Sequence, residues 1–382
     1  MLSYTENKNI ENGGVVVVLF KNLKKASCFS LAALLLAAVC LGGCGSKDEG
    51  SNEKTAKQGG DTLVVGTYGG KYDEAFMKAV IKKFTAETGV EVVLDPSYSY
   101  AKLAGEGKNP SVDLALMDDI QVAQGKDADV FLPLDLTKLP NTKDLYKGAV
   151  DPTGLGVSIQ WGRLGLVYRT DKIKEKPTSW QDLWKDEYKG HVTINTLQGT
   201  SGLQVLCMAA RLNGGDDAHL DPGWTAMKQL AANCKAIAQS TSNLTDMLTT
   251  GEVWIAPWWD GRAYALVDEG VPVDFVVPKE GAFNTNVEMI ITKYSKNQEM
   301  AYKFLNAMLD AKAQAEMSSI IHYGPVNKDA KLDDQLAKQV VYGPEQAKAL
   351  IICDWNILAP IKSDLSAKFD KEVAPLVGKN LN

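Results

Sequence analysis

Apolar residues recur along this chain with two periods that alternate. Residues 63–65 are a short apolar strand, broken by Thr67, Tyr68, Gly69 and Gly70. From 73 to 88 the spacing turns helical, with Phe76, Met77, Val80, Ile81 and Phe84 on one face and Gly89 as the stop. Residues 90–94 return to a strand. That order is a βαβ unit, whose parallel pairing is right-handed almost without exception. Residues 113–117 predict a third strand, ending in Asp118 and Asp119. Residues 160–168 read as an extended crossing segment that carries Trp161.

The pattern then starts again. Ser179 caps a helix with Asp182 in its first turn, and residues 192–195 form a strand. Gly199, Thr200, Ser201 and Gly202 open a helix to Leu212. Asp221 and Pro222 start another, and residues 243–250 a short one. Residues 253–256 read as a strand halted by Pro257, followed by Trp258, Trp259, Asp260, Gly261 and Arg262 and then a helix. Strands at 273–277 and 288–292 follow, joined by a crossing at 281–286. Helices at 298–309 and 311–318, a turn at 323–327 and a helical tail complete the chain. Two βα blocks joined by extended crossings predict an α/β fold of two lobes with a cleft between them.

The first 60 residues carry a different signal. Lys21, Lys24 and Lys25 precede an apolar run at 31–41 that has the size of a signal-peptide core and is short for a bilayer span. Leu41, Gly42, Gly43 and Cys44 resemble the bacterial lipobox, in which the cysteine is lipidated and becomes the mature N-terminus. Residues 1–14 are polar, unlike an n-region, which places the expected translation start near Val18 or Leu19. Residues 46–60 are rich in Gly, Ser and Lys and read as a flexible tether. The expected layout is a signal peptide at 1–43, a lipidated tether at 44–60, one lobe from 61–160 plus 285–328, and another from 161–284 plus 329–382.

Composition narrows the chemistry. A net charge of -6 over 382 residues argues against nucleic acid, whose phosphates need basic patches. No CxxC, no Cys/His zinc spacing, no P-loop, GxSxG or HExxH occurs. His191, His219 and His322 stand apart from any plausible nucleophile, so no catalytic residue, metal or cofactor is expected. Cys207 and Cys234 fall on two successive predicted helices, where they either pair or remain buried thiols.

Candidate binding residues gather at strand ends. Trp259, Asp260 and Arg262 sit in a strand-to-helix loop, where open α/β folds bind ligands, while Trp258 reads equally as core. Aromatic faces with a carboxylate suit a cationic group. Asp118 and Asp119 either meet a ligand amine or cap a helix. Thr200 and Ser201, at a helix start, suit an anion or only cap.

From Asp61 onward the chain resembles the extracellular solute-binding proteins of ABC importers, in particular their spermidine/putrescine-binding branch. The residues that carry the resemblance are Pro177 to Trp184 (PTSWQDLW), Tyr188-Lys189-Gly190, Gly270 to Asp274 (GVPVD), Pro278-Lys279-Glu280-Gly281 and Tyr323-Gly324-Pro325. The resemblance implies a periplasmic-binding-protein type II architecture, a small-molecule solute, a membrane permease as partner, and a monomer held at the bilayer by Cys44 outside the cytoplasm. It also implies that Tyr68, Trp259, Tyr323 and Asn356 touch the ligand. Asn284 and Asn286 stand where that branch has a tryptophan and an aspartate, and Ser201 and Gln204 where it has acids. Two ligand classes remain: a polyamine, and a zwitterion of the amino-acid or aminophosphonate kind, for which Arg262 is the anion partner. A surface enzyme or an adhesin is the non-transport alternative.

Overall fold

The computed structural model describes residues 62–379. The signal peptide, the start site, Cys44 and the tether lie outside the described residues. Ten strands form one sheet: β1 (Thr62–Gly66), β2 (Glu91–Asp95), β3 (Leu114–Met117), β4 (Gly156–Arg169), β5 (Val192–Asn195), β6 (Cys234–Ala238), β7 (Ile255–Trp259), β8 (Val273–Val276), β9 (Phe283–Ile291) and β10 (Gly324–Pro325). The order is β2-β1-β3-β9-β4-β7-β5-β6, with β8 and β10 also on β4.

The 14-residue β4 is the spine of this sheet. Its first half pairs antiparallel with β9 and β10, and its second half with β7 and β8. At the far ends the strands run parallel: β1 with β2 and β3, β5 with β6 and β7. Each parallel pair is joined through helices, as a parallel connection requires.

Two large cores result. One holds Leu63, Val65, Phe76, Leu114, Val287, Met289 and Phe304; the other holds Leu164, Leu166, Trp180, Leu203, Trp224, Phe283 and Phe369. Each is a two-layer helix-on-sheet unit, and β4 and β9 run through both.

Several expectations change in detail. The helix expected at 73–88 runs from Lys71 to Thr88 through a π turn at Met77–Ile81. Pro257 does not halt its strand. It pairs with Leu166 of β4 on one side, while β7 meets β5 only through Ile255, so the missing N–H breaks no ladder bond. Ser179 and Asp182 do form a capping box, on a 3₁₀ turn, Trp180–Trp184. Cys234 opens β6 and is not helical. Val341 is still in the first core, and the chain crosses where Ile351 bridges Phe283, before Cys353 and Trp355 join the second core.

Candidate functional site

The two faces of the β4–β9 ladder have different surroundings. Side chains alternate along a strand, so Asn284 and Asn286 point one way and Thr285 the other. Trp161 opposes Asn286 and shares its face, whereas Gly162 opposes Thr285. A Cβ on Gly162 would come within 2.8 Å of the Tyr323 ring and 3.2 Å of the Asp260 carboxylate, which sets those groups on the Thr285 face. Trp259 opposes Leu164 and lies on that face as well.

An arc of polar and aromatic groups begins there. Tyr323 packs against Tyr72 with ring centroids 6.4 Å apart, and Tyr72 edge-on against Tyr68 at 5.2 Å. The Tyr68 hydroxyl donates to Asp118 at 2.7 Å. The Thr200 hydroxyl, from the other lobe, donates to the second Asp118 oxygen at 2.9 Å. Asp118 also caps the helix Asp119–Ala128 in a box with Gln121. The capping reading of this residue is borne out, and its carboxylate accepts several bonds at once.

The arc also contains cations. Burial pushes the Tyr72 and Tyr323 phenols up, while the Arg262 guanidinium pulls both down and Asp118 pushes both up. Arg262 has no hydrogen bond or ion pair among the described residues. Burial pulls the Lys362 ammonium down and Asp118 opposes it; Lys362 likewise has no hydrogen bond or ion pair among the described residues.

Buried polar atoms without partners concentrate on these strands. On the Thr285 face they are the Gln160 amide, the Thr285 hydroxyl and the Trp259 indole N–H. Buried polar groups are normally satisfied, so such atoms mark where a solute or ordered water belongs.

The other face of the ladder borders a cavity of about 970 Å³, lined by Trp161, Asn284, Asn286, Asp119, Asn356 and Cys353 among others. Trp161 stacks on Tyr146 at 5.9 Å, and the Asn284 amide donates to Asn286 at 2.7 Å. Asp119 accepts from the Trp355 indole at 3.2 Å and meets Glu288. Burial raises both carboxyls, Asp119 to about 6. Gly156 leaves room for Glu288, since a Cβ there would sit 2.4 Å from its carboxylate.

The structure therefore divides the thirteen expected residues. Tyr68, Asp118, Thr200, Trp259, Arg262 and Tyr323 come together on one face. Asp119, Trp161, Asn284, Asn286 and Asn356 line the cavity on the other. Ser201 is buried and accepts from the Asn195 amide at 2.8 Å. Asp260 is fully buried, with its carboxylate 2.9 Å from the Arg163 guanidinium and 3.1 Å from the Arg163 backbone N–H. It is closed to a solute, and its partner is Arg163 rather than Arg262. Trp258 is core, at 1% exposure. Tyr72, Gln160, Thr285 and Lys362 were missed. The i, i+4 spacing of Tyr68 and Tyr72 was the available signal for the first; the others depend on tertiary contacts.

Two α/β lobes spanned by long crossing strands, with unpaired polar groups where they meet, define a two-lobed solute-binding protein. The comparisons agree. The bacterial extracellular solute-binding protein family matches residues 79–342, and the chain belongs to that family. A relative from Haemophilus influenzae, spermidine/putrescine-binding periplasmic protein 1, is 27% identical over 326 residues, covering 80% of this chain and 86% of that one. The spermidine/putrescine-binding periplasmic protein of Escherichia coli is 28% identical over 267 residues, covering 66% and 75%. The crystal structure of an ABC transporter protein from Clostridium perfringens superposes with a TM-score of 0.69 at 25% identity, covering 81% of this chain and 99% of that one. These relatives place the protein's work outside the cytoplasm.

Proposed function

We propose that this protein captures a small amine-bearing solute of the polyamine class and delivers it to an ABC permease. The observation that carries this reading is Asp118. It is a carboxylate held between the lobes by Tyr68 of one and Thr200 of the other, at the end of a row of three tyrosines. An ammonium between a carboxylate and aromatic faces gains from both. The names of the relatives support the same class. Lobes of 62–160 plus 285–348 and 161–284 plus 349–379 would close by bending at β4, β9 and the crossing at 349–353. Lipidation at Cys44 would hold the mature chain at the membrane as a monomer. No catalytic role is proposed.

A second reading is favoured by Arg262 and Lys362, two cations without hydrogen-bond or ion-pair partners in the described residues near a single available acid. A solute with an ammonium for Asp118 and a carboxylate or phosphonate for Arg262 would satisfy both. Calorimetry on the delipidated protein separates the two, with putrescine, spermidine and a four-carbon ω-amino acid as titrants. Micromolar polyamine binding that survives Arg262→Ala supports the first reading. Binding of the amino acid that weakens at least tenfold in Arg262→Ala supports the second. Asn286→Leu, on the opposite face, should leave either affinity unchanged. A loss there would move the solute to the 970 Å³ cavity.

A further inference from the structure

The sequence offered Cys207 and Cys234 as a possible pair. The fold brings Cys207 to Cys353 instead. Cys207 lies in the helix Thr200–Leu212, and Cys353 follows the crossing at Ile351. Their sulfurs and an Asp217 carboxylate oxygen all lie within 4.8 Å of one another, and each of the three residues is buried. Each thiol is the other's neighbour, with Cys207 hydrogen-bonded to Cys353. Cys234 sits alone at the start of β6, 1% exposed.

Two chemistries suit two thiols beside a carboxylate: a soft metal ion and a disulfide. The surroundings decide between them. Both Asp217 oxygens are 2.9 Å from the Arg211 guanidinium, and one also accepts the Asp354 backbone N–H at 2.8 Å. The carboxylate has little capacity left for a metal, and the guanidinium puts a fixed positive charge beside the would-be ion. Burial and the neighbouring Cys207 push the Cys353 thiol well up and the guanidinium opposes them, so the thiolate that attacks a disulfide is its minor form. Burial pulls the Arg211 guanidinium down, but Asp217 and, more weakly, both sulfurs raise its affinity for its proton. Cys353, though 3% exposed, is also one of the residues that line the 970 Å³ cavity. The protein works outside the cytoplasm, where disulfides persist.

We propose that Cys207 and Cys353 form a disulfide in the exported protein. The oxidant is the disulfide of an extracytoplasmic thiol–disulfide exchange protein. The Cys353 thiolate attacks one of its sulfurs and forms a mixed disulfide. The Cys207 sulfur then displaces the carrier. Two thiols of this chain are oxidised by two electrons, and the carrier disulfide is reduced to a dithiol that takes up both protons.

The bond has a functional position. The Cys207 helix begins with Thr200, which reaches Asp118. Two residues past Cys353, Trp355 donates to Asp119. Ile351 exchanges backbone bonds with Ala282 and Asn284 of the second crossing. The disulfide would fasten the third crossing to the second lobe, so that bending on closure falls on the stretch before Cys353.

The test is direct. The full chain is exported, purified without reductant, denatured in excess alkylating maleimide and digested. The expected result is one disulfide-linked peptide pair containing Cys207 and Cys353, with Cys234 alkylated. Intact mass should rise by two hydrogens on reduction. Alkylation of both Cys207 and Cys353 in protein taken from outside the cytoplasm would overturn the proposal. So would one equivalent of zinc released by chelator together with two free thiols, which would make the site a metal centre. Cys353→Ser and Cys207→Ser should each lower Tm relative to the oxidised parent and lose the parent's sensitivity to reductant. A parent whose Tm is unmoved by reductant, with both cysteines alkylated, gives the overturning result without any variant.

Discussion

Asp118 and Asp119 are adjacent in the chain and opposite in setting. Asp118 is half-exposed where the lobes meet, and its two oxygens are shared between Tyr68 and Thr200. Asp119, one residue on, turns to the other face of the crossing strands. There burial raises its carboxyl to about 6, beside a second buried acid, Glu288. The N-cap explains the division. The helix Asp119–Ala128 takes Asp118 as its cap, which points that side chain along the helix axis toward the cleft. The next residue is already helical and points sideways into the sheet. Two identical side chains therefore take different roles: one can exchange its partners, and the other is locked into the fold.

The third acid, Asp260, sharpens the comparison. It resembles Asp118 in sequence context, at the end of a strand and the start of a helix, but it resembles Asp119 in burial. Burial pushes its carboxyl up, against the pull of Arg163. Removing one partner of a buried pair strands the other charge, which costs about 3–5 kcal/mol. Asp260→Ala should therefore cause the largest loss of stability among these variants, read from urea unfolding. Asp118→Ala should cost less in the same assay, about 1 kcal/mol for a lost N-cap. An Asp260→Ala variant as stable as the parent but unable to bind solute would return Asp260 to the binding site.

Asp119 gives the next effect, as a pH dependence with a definite sign. Its folded carboxyl holds a proton up to about 6, against an ordinary 3.8. The folded chain thus binds that proton more tightly than the unfolded chain does. The stability it supplies is complete below about pH 3.8 and is lost as pH rises through about 6. Asp119→Asn keeps an acceptor for Trp355 and does not ionise. Its stability relative to the parent should improve by roughly 2–3 kcal/mol between pH 4 and pH 8, since holding a proton tenfold more tightly is worth about 1.36 kcal/mol. A difference that stays constant across that range would show that Asp119 ionises freely.

Much of the fold was legible because local signals agreed with tertiary ones. The helix Thr200–Leu212 and the strand Val192–Asn195 came out at their observed bounds, having clear starts and clean periods. The alternation of βα blocks was enough for two lobes. The site was legible only in part. Trp259 was singled out by its strand-to-helix loop, whereas Tyr68 and Tyr323 were named through the family resemblance. Asn284 and Asn286 lie on β9, and the face they take depends on a register of period two, in which a shift of one residue reverses every side chain. Asp260 was read as a ligand because Arg163 is 97 residues away, and no local pattern announces such a partner. The pairing of Cys207 with Cys353 is hidden for the same reason.

The smallest predicted effect concerns the contact between the lobes themselves. Thr200 reaches Asp118 only when the lobes are together, so this hydrogen bond exists in the closed form and is absent in an open one. Valine replaces threonine with nearly the same volume and no hydroxyl. Tyr68 still holds the other Asp118 oxygen, and Asp118 keeps access to water, so no acid is stranded. The loss should therefore be the modest net value of one hydrogen bond, about 1 kcal/mol. By mass action it falls on the closed state alone. Thr200→Val should bind solute about fivefold more weakly, and its unliganded form should show a larger radius of gyration in solution scattering. Thr200 is buried, and the variant's stability in urea unfolding should fall by no more than that one hydrogen bond, about 1 kcal/mol. Asp118→Asn provides the control, because it weakens the same contact and removes the ammonium partner as well, so its affinity should fall further. If Thr200→Val left both compaction and affinity unchanged, the contact would be incidental to closure. Asp118 would then serve the solute from its own lobe alone.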